Sequence, residues 1–304
     1  MACAFISILL GAVIIAALVK LYLYLTTGRY TIKKSLKGKH ILITGGTGGI
    51  GKETVRELAI HGASVHILAR NMKKAEAVVQ ELKSTTSQDL DLQIHELDLS
   101  NSQSVRHFAA KFLATKIPIH VLINNAGLLN TFKRLTVDGN EETCQANHLS
   151  HFLLTNLLLD RIIESGPGAR IINVSSLLHA YVTDFDVTDI KFERQSVSDG
   201  VFSKTYNYSK LENILFTREL AHRLEGKGVT VNSLHPAIIS RPFLKTALEG
   251  AQTTLYLAVD DKVASVTGQY FSDCKPAATS LIALDDRLAK ELWKESERLT
   301  SLKK

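Results

Sequence analysis

Tyr206 and Lys210 stand four residues apart, so a helix through them carries both side chains on one face. That pairing suits the interconversion of a carbonyl and an alcohol. Hydride addition to a carbonyl develops an alkoxide that must take a proton, and the reverse reaction must remove one. A free phenol titrates near 10, too high for a base at neutral pH. A neighbouring ammonium favours the phenolate, and lowering the phenol by about two units asks for roughly 3 kcal/mol of electrostatic help. Tyr208 lies only two residues from Lys210 and falls on another face. Upstream, the apolar run 169–174 ends in Ser175-Ser176, and either hydroxyl could stand where ligands bind, beyond the C-terminal ends of parallel strands.

These residues need a scaffold, and the stretch from His40 to Gly51 supplies its first unit. The apolar run Ile41, Leu42, Ile43 reads as a buried parallel strand, breaks into glycines, and is followed by a helix-forming stretch from Lys52. Strand, glycine loop and helix in that order are the context a dinucleotide site requires, where the alternative is a glycine loop without a ligand. Glycines let the backbone approach a pyrophosphate, and the helix N-terminus meets it with free N–H groups and the positive end of its dipole. The expected contacts are Gly45, Thr47, Gly48, Gly49, Ile50 and Gly51.

Further strands are expected over 64–68, 92–97, 119–123, 169–174, 229–234 and 268–271, the last at the sheet edge. Helices are expected over 71–83, 102–115, 136–165, 247–258 and 285–299, the last carrying Trp293 as a packing residue. The fold class is therefore α/β, a single doubly wound parallel sheet of the Rossmann kind. At the end of the second strand stand Ala69 and Arg70, where an enzyme preferring NAD usually has an acid for the ribose 2′-OH. A guanidinium there could grip a 2′-phosphate, which favours NADP(H). Asp98 and Leu99 close the third strand. Asp98 could hold an adenine amino group, or Asp98 or Ser100 could instead cap the next helix.

Thr44-Gly45-x-x-x-Gly49-x-Gly51 together with Asn124-Asn125-Ala126-Gly127 resembles the short-chain dehydrogenase/reductases. The resemblance implies that Asn125 and Gly127 support the sheet and approach the cofactor ribose. It implies that Ser176, the second serine, bonds the substrate carbonyl, that Tyr206 is the acid/base, and that Lys210 tunes it. It also implies that the backbone carbonyl of Asn147, a poor helix former, holds a proton-relay water. The runs 147–159, 173–176, 209–220 and 270–274 are similar to the membrane-anchored retinol dehydrogenases. That likeness, from about residue 38 to 275, implies NADP(H) as cofactor and retinoids or other lipid aldehydes as substrates, at microsomal or mitochondrial membranes.

One region departs from the family. After the sixth strand the family runs Pro-Gly, three residues, then Thr; here it is Pro236-Ala237-Ile238-Ile239-Ser240-Arg241. The lipophilic segment that follows in relatives is shorter, so part of the apolar wall an apolar substrate needs is missing. A steroid or prenyl/lipid-aldehyde reductase, or a non-catalytic lipid- or partner-binding protein on this scaffold, are the alternatives this raises.

Ala2 to Val19 carries no charge and is about the length that crosses a bilayer. The basic residues follow this run, with bulky Tyr22 and Tyr24 at its exit, which argues for a retained anchor over a cleaved signal. The expected organisation is an anchor over 1–25, a basic tether over 26–37 lying on the membrane surface, and the Rossmann domain over 38–304. The positive-inside rule puts that domain in the cytosol, single-pass, with the endoplasmic reticulum membrane first and a mitochondrial membrane as alternative.

The net charge of +6 comes from this arm. Residues 1–39 hold six cations and no acid, leaving thirty basic and thirty acidic residues beyond. No nucleic-acid face is implied. Cys3, Cys144 and Cys274 are unpatterned and suggest neither a disulfide nor a metal site. The partner expected is a small lipophilic molecule, and a homodimer remains open as the assembly.

Overall fold

The computed structural model describes residues 28–86, 88–130, 132–194, 203–236 and 246–302, with scattered positions between 10 and 21. Seven parallel strands and a short antiparallel one form one sheet in the order β3-β2-β1-β4-β5-β6-β7-β8. The strands are β1 His40–Thr44, β2 Ser64–Ala69, β3 Leu92–Glu96, β4 Val121–Asn124, β5 Ala169–Val174, β6 Val229–Leu234, β7 Tyr270–Ser272 and β8 Lys275–Pro276. β4, β5 and β6 are buried at every residue, as β-branched and aliphatic runs covered on both faces must be. The chain reverses direction across the sheet between β1 and β4, where ligands enter doubly wound folds.

The flanking helices are α1 Gly49–Ile60, α2 Met72–Thr85, α3 Ser102–Ala114, α4, α5 Lys204–Arg223, α6 Ala247–Val259 and α7 Asp286–Leu299. α4 is composite: Glu142–Cys144, a π turn over Gln145–Leu149, then Ser150–Glu164. Asn71, Asn101, Thr246 and Asp285 cap α2, α3, α6 and α7 with their side chains, each a contribution of about 1 kcal/mol. Trp293 packs its ring edge-on against Phe152, with centroids 4.8 Å apart.

Several expectations need correction. The helix expected from residue 136 starts at Glu142. The residues before it close a turn through a Leu135–Glu141 bridge, with Gly139 at φ 73°, and the Glu141 side chain caps the helix. The seventh strand is not the edge. Asp273 and Cys274 turn the chain at φ 48° and 60°, and β8 takes the outer position antiparallel. Neither Asp98 nor Ser100 caps α3; Asn101 does.

Among the described residues no helix is long and apolar enough to cross a membrane. Most of the anchor expected over 1–25 lies outside them, as does the shortened segment 237–245 with Ala237, Ser240 and Arg241. Residues 28–36 of the expected tether pack onto the domain, and Ile32 and Leu36 join its core.

Candidate active site

β5 ends in Val174, and the two serines after it take different partners. The Ser175 hydroxyl is buried and donates to the Lys210 carbonyl at 2.6 Å, fastening the strand end to α5. The Ser176 hydroxyl starts the next turn, accepts from Leu178 N–H at 3.2 Å, and hydrogen-bonds the Tyr206 side chain. Only Ser176 thus stands beside the phenol.

The first turns of α5 place Tyr206 and Lys210 on one face, with the ammonium 5.4 Å from the centre of the tyrosine ring. Lys210 Nζ donates to the Val174 carbonyl at 3.1 Å. Burial pushes its pKa down to about 8, since the charged form has lost its water. Tyr206 is pushed up from the ordinary phenol value by burial, with the Ser176 hydrogen bond opposing. Desolvation outweighs the Ser176 hydrogen bond, so the net displacement of the phenol in this arrangement is upward. Tyr208 points elsewhere, into Phe185 and Phe192, with its hydroxyl on the Asp184 carbonyl.

Asn147 sits in the π turn, where a widened backbone aims a side chain inward. Its amide grips the loop after β4 in both directions: Oδ1 accepts from Leu128 N–H at 2.8 Å, and Nδ2 donates to the Leu128 carbonyl at 2.9 Å. Nδ2 also donates to Ser209 Oγ at 3.0 Å. These partners explain an asparagine inside a helix. The Asn147 carbonyl lies 3.0 Å from His151 Nδ1. Burial holds His151 at about 4 and so neutral. Its Nε2 meets Thr44 Oγ1 at 2.9 Å, and that hydroxyl accepts from Asn125 and Ala126 N–H at 3.0 and 2.9 Å. With both hydroxyl acceptances used, Thr44 donates to Nε2 and Nδ1–H donates to Asn147. One chain of hydrogen bonds therefore joins the end of β1, the loop after β4 and the π turn.

A cleft opens beyond the C-terminal ends of β1 to β4. Gly45, Thr47, Arg70, Asp98, Leu99 and Gly127 line it, together with Lys74. Gly45 has φ 70°, and a Cβ there would lie 2.9 Å from Ala126 Cα, so only glycine fits. Asn125 Nδ2 donates to the Thr44 carbonyl at 2.9 Å and buttresses the glycine loop beside Gly51. Gly48, which begins α1, provides no side-chain cap. Ile50 turns partly inward onto the core. At Gly127 a Cβ would stand 3.1 Å from Lys210 Nζ, so the floor of the cleft and the buried ammonium are neighbours. Asp98 Oδ1 accepts from Ser100 N–H and Oγ at 2.9 and 2.7 Å, and lies 4.0 Å from an exposed Arg70.

A short chain dehydrogenase family model matches residues 39–183. Retinol dehydrogenase 12 of Homo sapiens is 42% identical over 285 residues, 88% of this chain and 88% of its own length. The chain belongs to the short-chain dehydrogenase/reductase family. Among solved structures, an uncharacterized protein from Mycobacterium Paratuberculosis superposes with a TM-score of 0.77 at 33% identity, covering 90% of this chain and 98% of that one. The Pseudomonas aeruginosa RhlG/NADP active-site complex does so at 0.62 and 25% identity, covering 78% and 95%.

This short-chain dehydrogenase/reductase is thus an oxidoreductase related to retinol dehydrogenases, and its family uses a nicotinamide cofactor. The residues present fit that group. The α1 N-terminus has no side-chain cap, unlike α2, α3, α6 and α7, so its first N–H groups remain available to phosphate oxygens. Glycines stand where a side chain would collide. Lys74 was missed from the sequence, although its spacing of four from Arg70 on a helix start is the signal that could have found it. Thr44 and His151 were missed as well, because only the fold brings residues 107 apart into contact.

Proposed function

We propose that this reductase uses NADP(H) to interconvert a lipophilic alcohol and its aldehyde or ketone, with a retinoid as the leading substrate. The observation that carries the reading is the Ser176–Tyr206–Lys210 cluster opening beside the glycine-lined cleft. When bound, the nicotinamide supplies or accepts the hydride. Ser176 orients the carbonyl oxygen. Tyr206, held protonated by its burial, gives that oxygen its proton, which suits carbonyl reduction at neutral pH. Lys210 holds its ammonium over the ring, and Asn147 fixes the loop that forms the floor. The NADP(H) preference is supported by two cations at the cleft, Arg70 and Lys74, and by the absence of an acid at the end of β2, where Ala69 stands. The retinoid assignment is supported by the relationship to retinol dehydrogenase 12. The uncharged run Ala2 to Val19 supports a single-pass anchor in the endoplasmic reticulum membrane with the domain in the cytosol.

The test is a steady-state rate. The full chain in detergent is given NADPH with retinal, a prenyl aldehyde or a steroid ketone, and cofactor consumption is followed. Turnover of retinal, with NADH serving markedly worse, is the expected result. Faster turnover of the prenyl aldehyde or steroid would reassign the substrate. Tight NADPH binding by folded protein without turnover of any carbonyl would favour a lipid- or partner-binding role, which the shortened segment after Pro236 suggests.

A further inference from the structure

Residues 28–36 are not a loose leash. They form a strap that runs the height of the sheet alongside α6. At one end Gly28 N–H donates to Asp273 Oδ1 at 3.3 Å, and Asp273 directly follows the C-terminal end of β7. Tyr30 N–H then donates to Gln252 Oε1 at 2.6 Å, and the Tyr30 ring meets Tyr256 edge-on at 5.5 Å. Ile32 is buried, and Lys34 pairs with Asp261, just past the end of α6. Leu36 N–H donates to the His61 carbonyl at 2.8 Å, at the opposite edge of the sheet, before the chain enters β1. The strap therefore starts at the edge where the strands end, which is the edge that carries Ser176 and the cleft.

The direction has a consequence. The apolar stretch of the N-terminal arm runs to Leu25, only three residues before Gly28. Three residues reach at most about 10 Å. If that stretch is a membrane anchor, as proposed above, the bilayer surface is held close to the edge where the strands end.

That same edge is where most of the domain's exposed large apolar side chains fall, although Leu281 and Leu284, between β8 and α7, are exposed as well. Leu129 and Phe132 follow β4, Leu177 and Tyr181 follow β5, and Leu248 opens α6; all are exposed, Phe132 at 69%. Among the described residues, no exposed large apolar side chain falls in the loops at the other edge (61–63, 86–91, 115–120, 165–168, 224–228 and 260–269). Exposed apolar surface gathered on one side of a soluble domain marks a surface that is covered in use. Apolar side chains of this kind settle into the headgroup boundary of a bilayer.

We propose that the catalytic edge of the sheet rests on the membrane that holds the anchor, with Phe132, Leu177 and Leu248 dipping into the lipid boundary, so that a lipophilic substrate reaches Ser176 and Tyr206 directly from the bilayer. The occupant of the apolar edge is a lipid surface, and the strap sets the orientation. The proposal rests on the anchor reading, and its test separates the two.

The full chain, with Cys3, Cys144 and Cys274 replaced by serine, is reconstituted into phosphatidylcholine vesicles. It carries one environment-sensitive fluorophore on a single introduced cysteine. Two positions report the catalytic edge, Phe132→Cys and Leu248→Cys. Two exposed positions report the opposite edge, Asp89→Cys and Lys227→Cys. Circular dichroism checks folding, and flotation checks vesicle association. Doping the vesicles with spin-labelled lipid should extinguish most emission at Phe132 and Leu248 and leave Asp89 and Lys227 bright. Protein that floats with the vesicles but is not quenched at the first pair, or is quenched at the second, overturns the orientation and leaves the anchor standing. Folded protein that fails to float overturns the anchor and the orientation with it.

Discussion

Two rows of buried and half-buried titratable groups cross this molecule, and they are built for opposite ends. One is the Ser176–Tyr206–Lys210 cluster at the ends of β5 and the start of α5. The other is a row of four histidines on the sheet itself. His40 N–H donates to His120 Nδ1 at 2.9 Å, His40 Nδ1 meets His66 Nε2 at 3.2 Å, and His66 Nδ1 meets His95 Nε2 at 3.0 Å. Phe112 stands edge-on to His66 and Phe108 to His95. Both rows have pKa values displaced by burial. His66 is pushed down to about 4 by burial and then by its histidine neighbours, much as Lys210 is pushed down to about 8. The difference is closure. In the histidine row the buried central ring, His66, spends both nitrogens on other rings, so that ring stays neutral and closed off. In the cluster a partly exposed serine and a tyrosine stand open beside a glycine-lined cleft. A displaced pKa alone therefore does not mark a site; half-exposed hydroxyls beside a ligand-sized cleft do.

The largest effect that would sharpen this contrast is on rate. Tyr206→Phe removes the acid but keeps the ring, and kcat should fall by roughly 10²- to 10⁴-fold, while the unfolding midpoint moves little. A Tyr206→Phe enzyme with undiminished kcat would break the distinction outright. His66→Ala should do the reverse. It opens a cavity and strands ring nitrogens on both His40 and His95, for a cost of about 3 kcal/mol in urea unfolding. The kcat of the folded fraction should stay within about twofold of the parent, since His66 is not in contact with the cluster.

How much of either row could be read in advance depends on what brings it together. Tyr206 and Lys210 are joined by helical spacing, and β1 with its glycine turn by a local pattern, so both were legible. Spacing alone left Ser175 and Ser176 open and the family resemblance chose Ser176; the fold adds the physical reason, because Ser175 is occupied by a carbonyl on α5 that no local pattern reveals. The histidine row was invisible. Its members lie about 25 to 30 residues apart, and only strand register lines them up. The start of α4 was set too early because apolar spacing continues through Leu135, while the turn at Gly139 decides the matter. β8, two residues with a proline, carries no period to read.

Acid should act on the centre of the histidine row. His66 has a folded pKa near 4 against about 6.5 when unfolded. Its neutral form therefore contributes stability that is fully present above about pH 6.5 and is lost as pH falls through 4, because the unfolded chain takes up the proton first. His148, near 3, and His151, near 4, carry the same sign. The urea midpoint should therefore drop between pH 6.5 and 4.5. His66→Leu should make that drop shallower without abolishing it. An equally steep drop in the variant would show that the row does not sense acid.

The smallest effect belongs to the rim of the open site. Arg70 is two-thirds exposed and 4.0 Å from Asp98, so water screens most of what it can contribute. Lys74 Nζ would lie 3.7 Å from a Cβ on Gly48, closer to the phosphate loop. A 2′-phosphate bridging the two would draw on both, so neither alone can account for the whole preference. Arg70→Ala should raise the KM for NADPH by roughly five- to tenfold and leave that for NADH unchanged, as expected for one partly solvated charged hydrogen bond. Lys74→Ala should do at least as much. Equal losses for NADPH and NADH would mean that these cations meet the shared pyrophosphate, and the cleft would then discriminate by something other than charge at its rim.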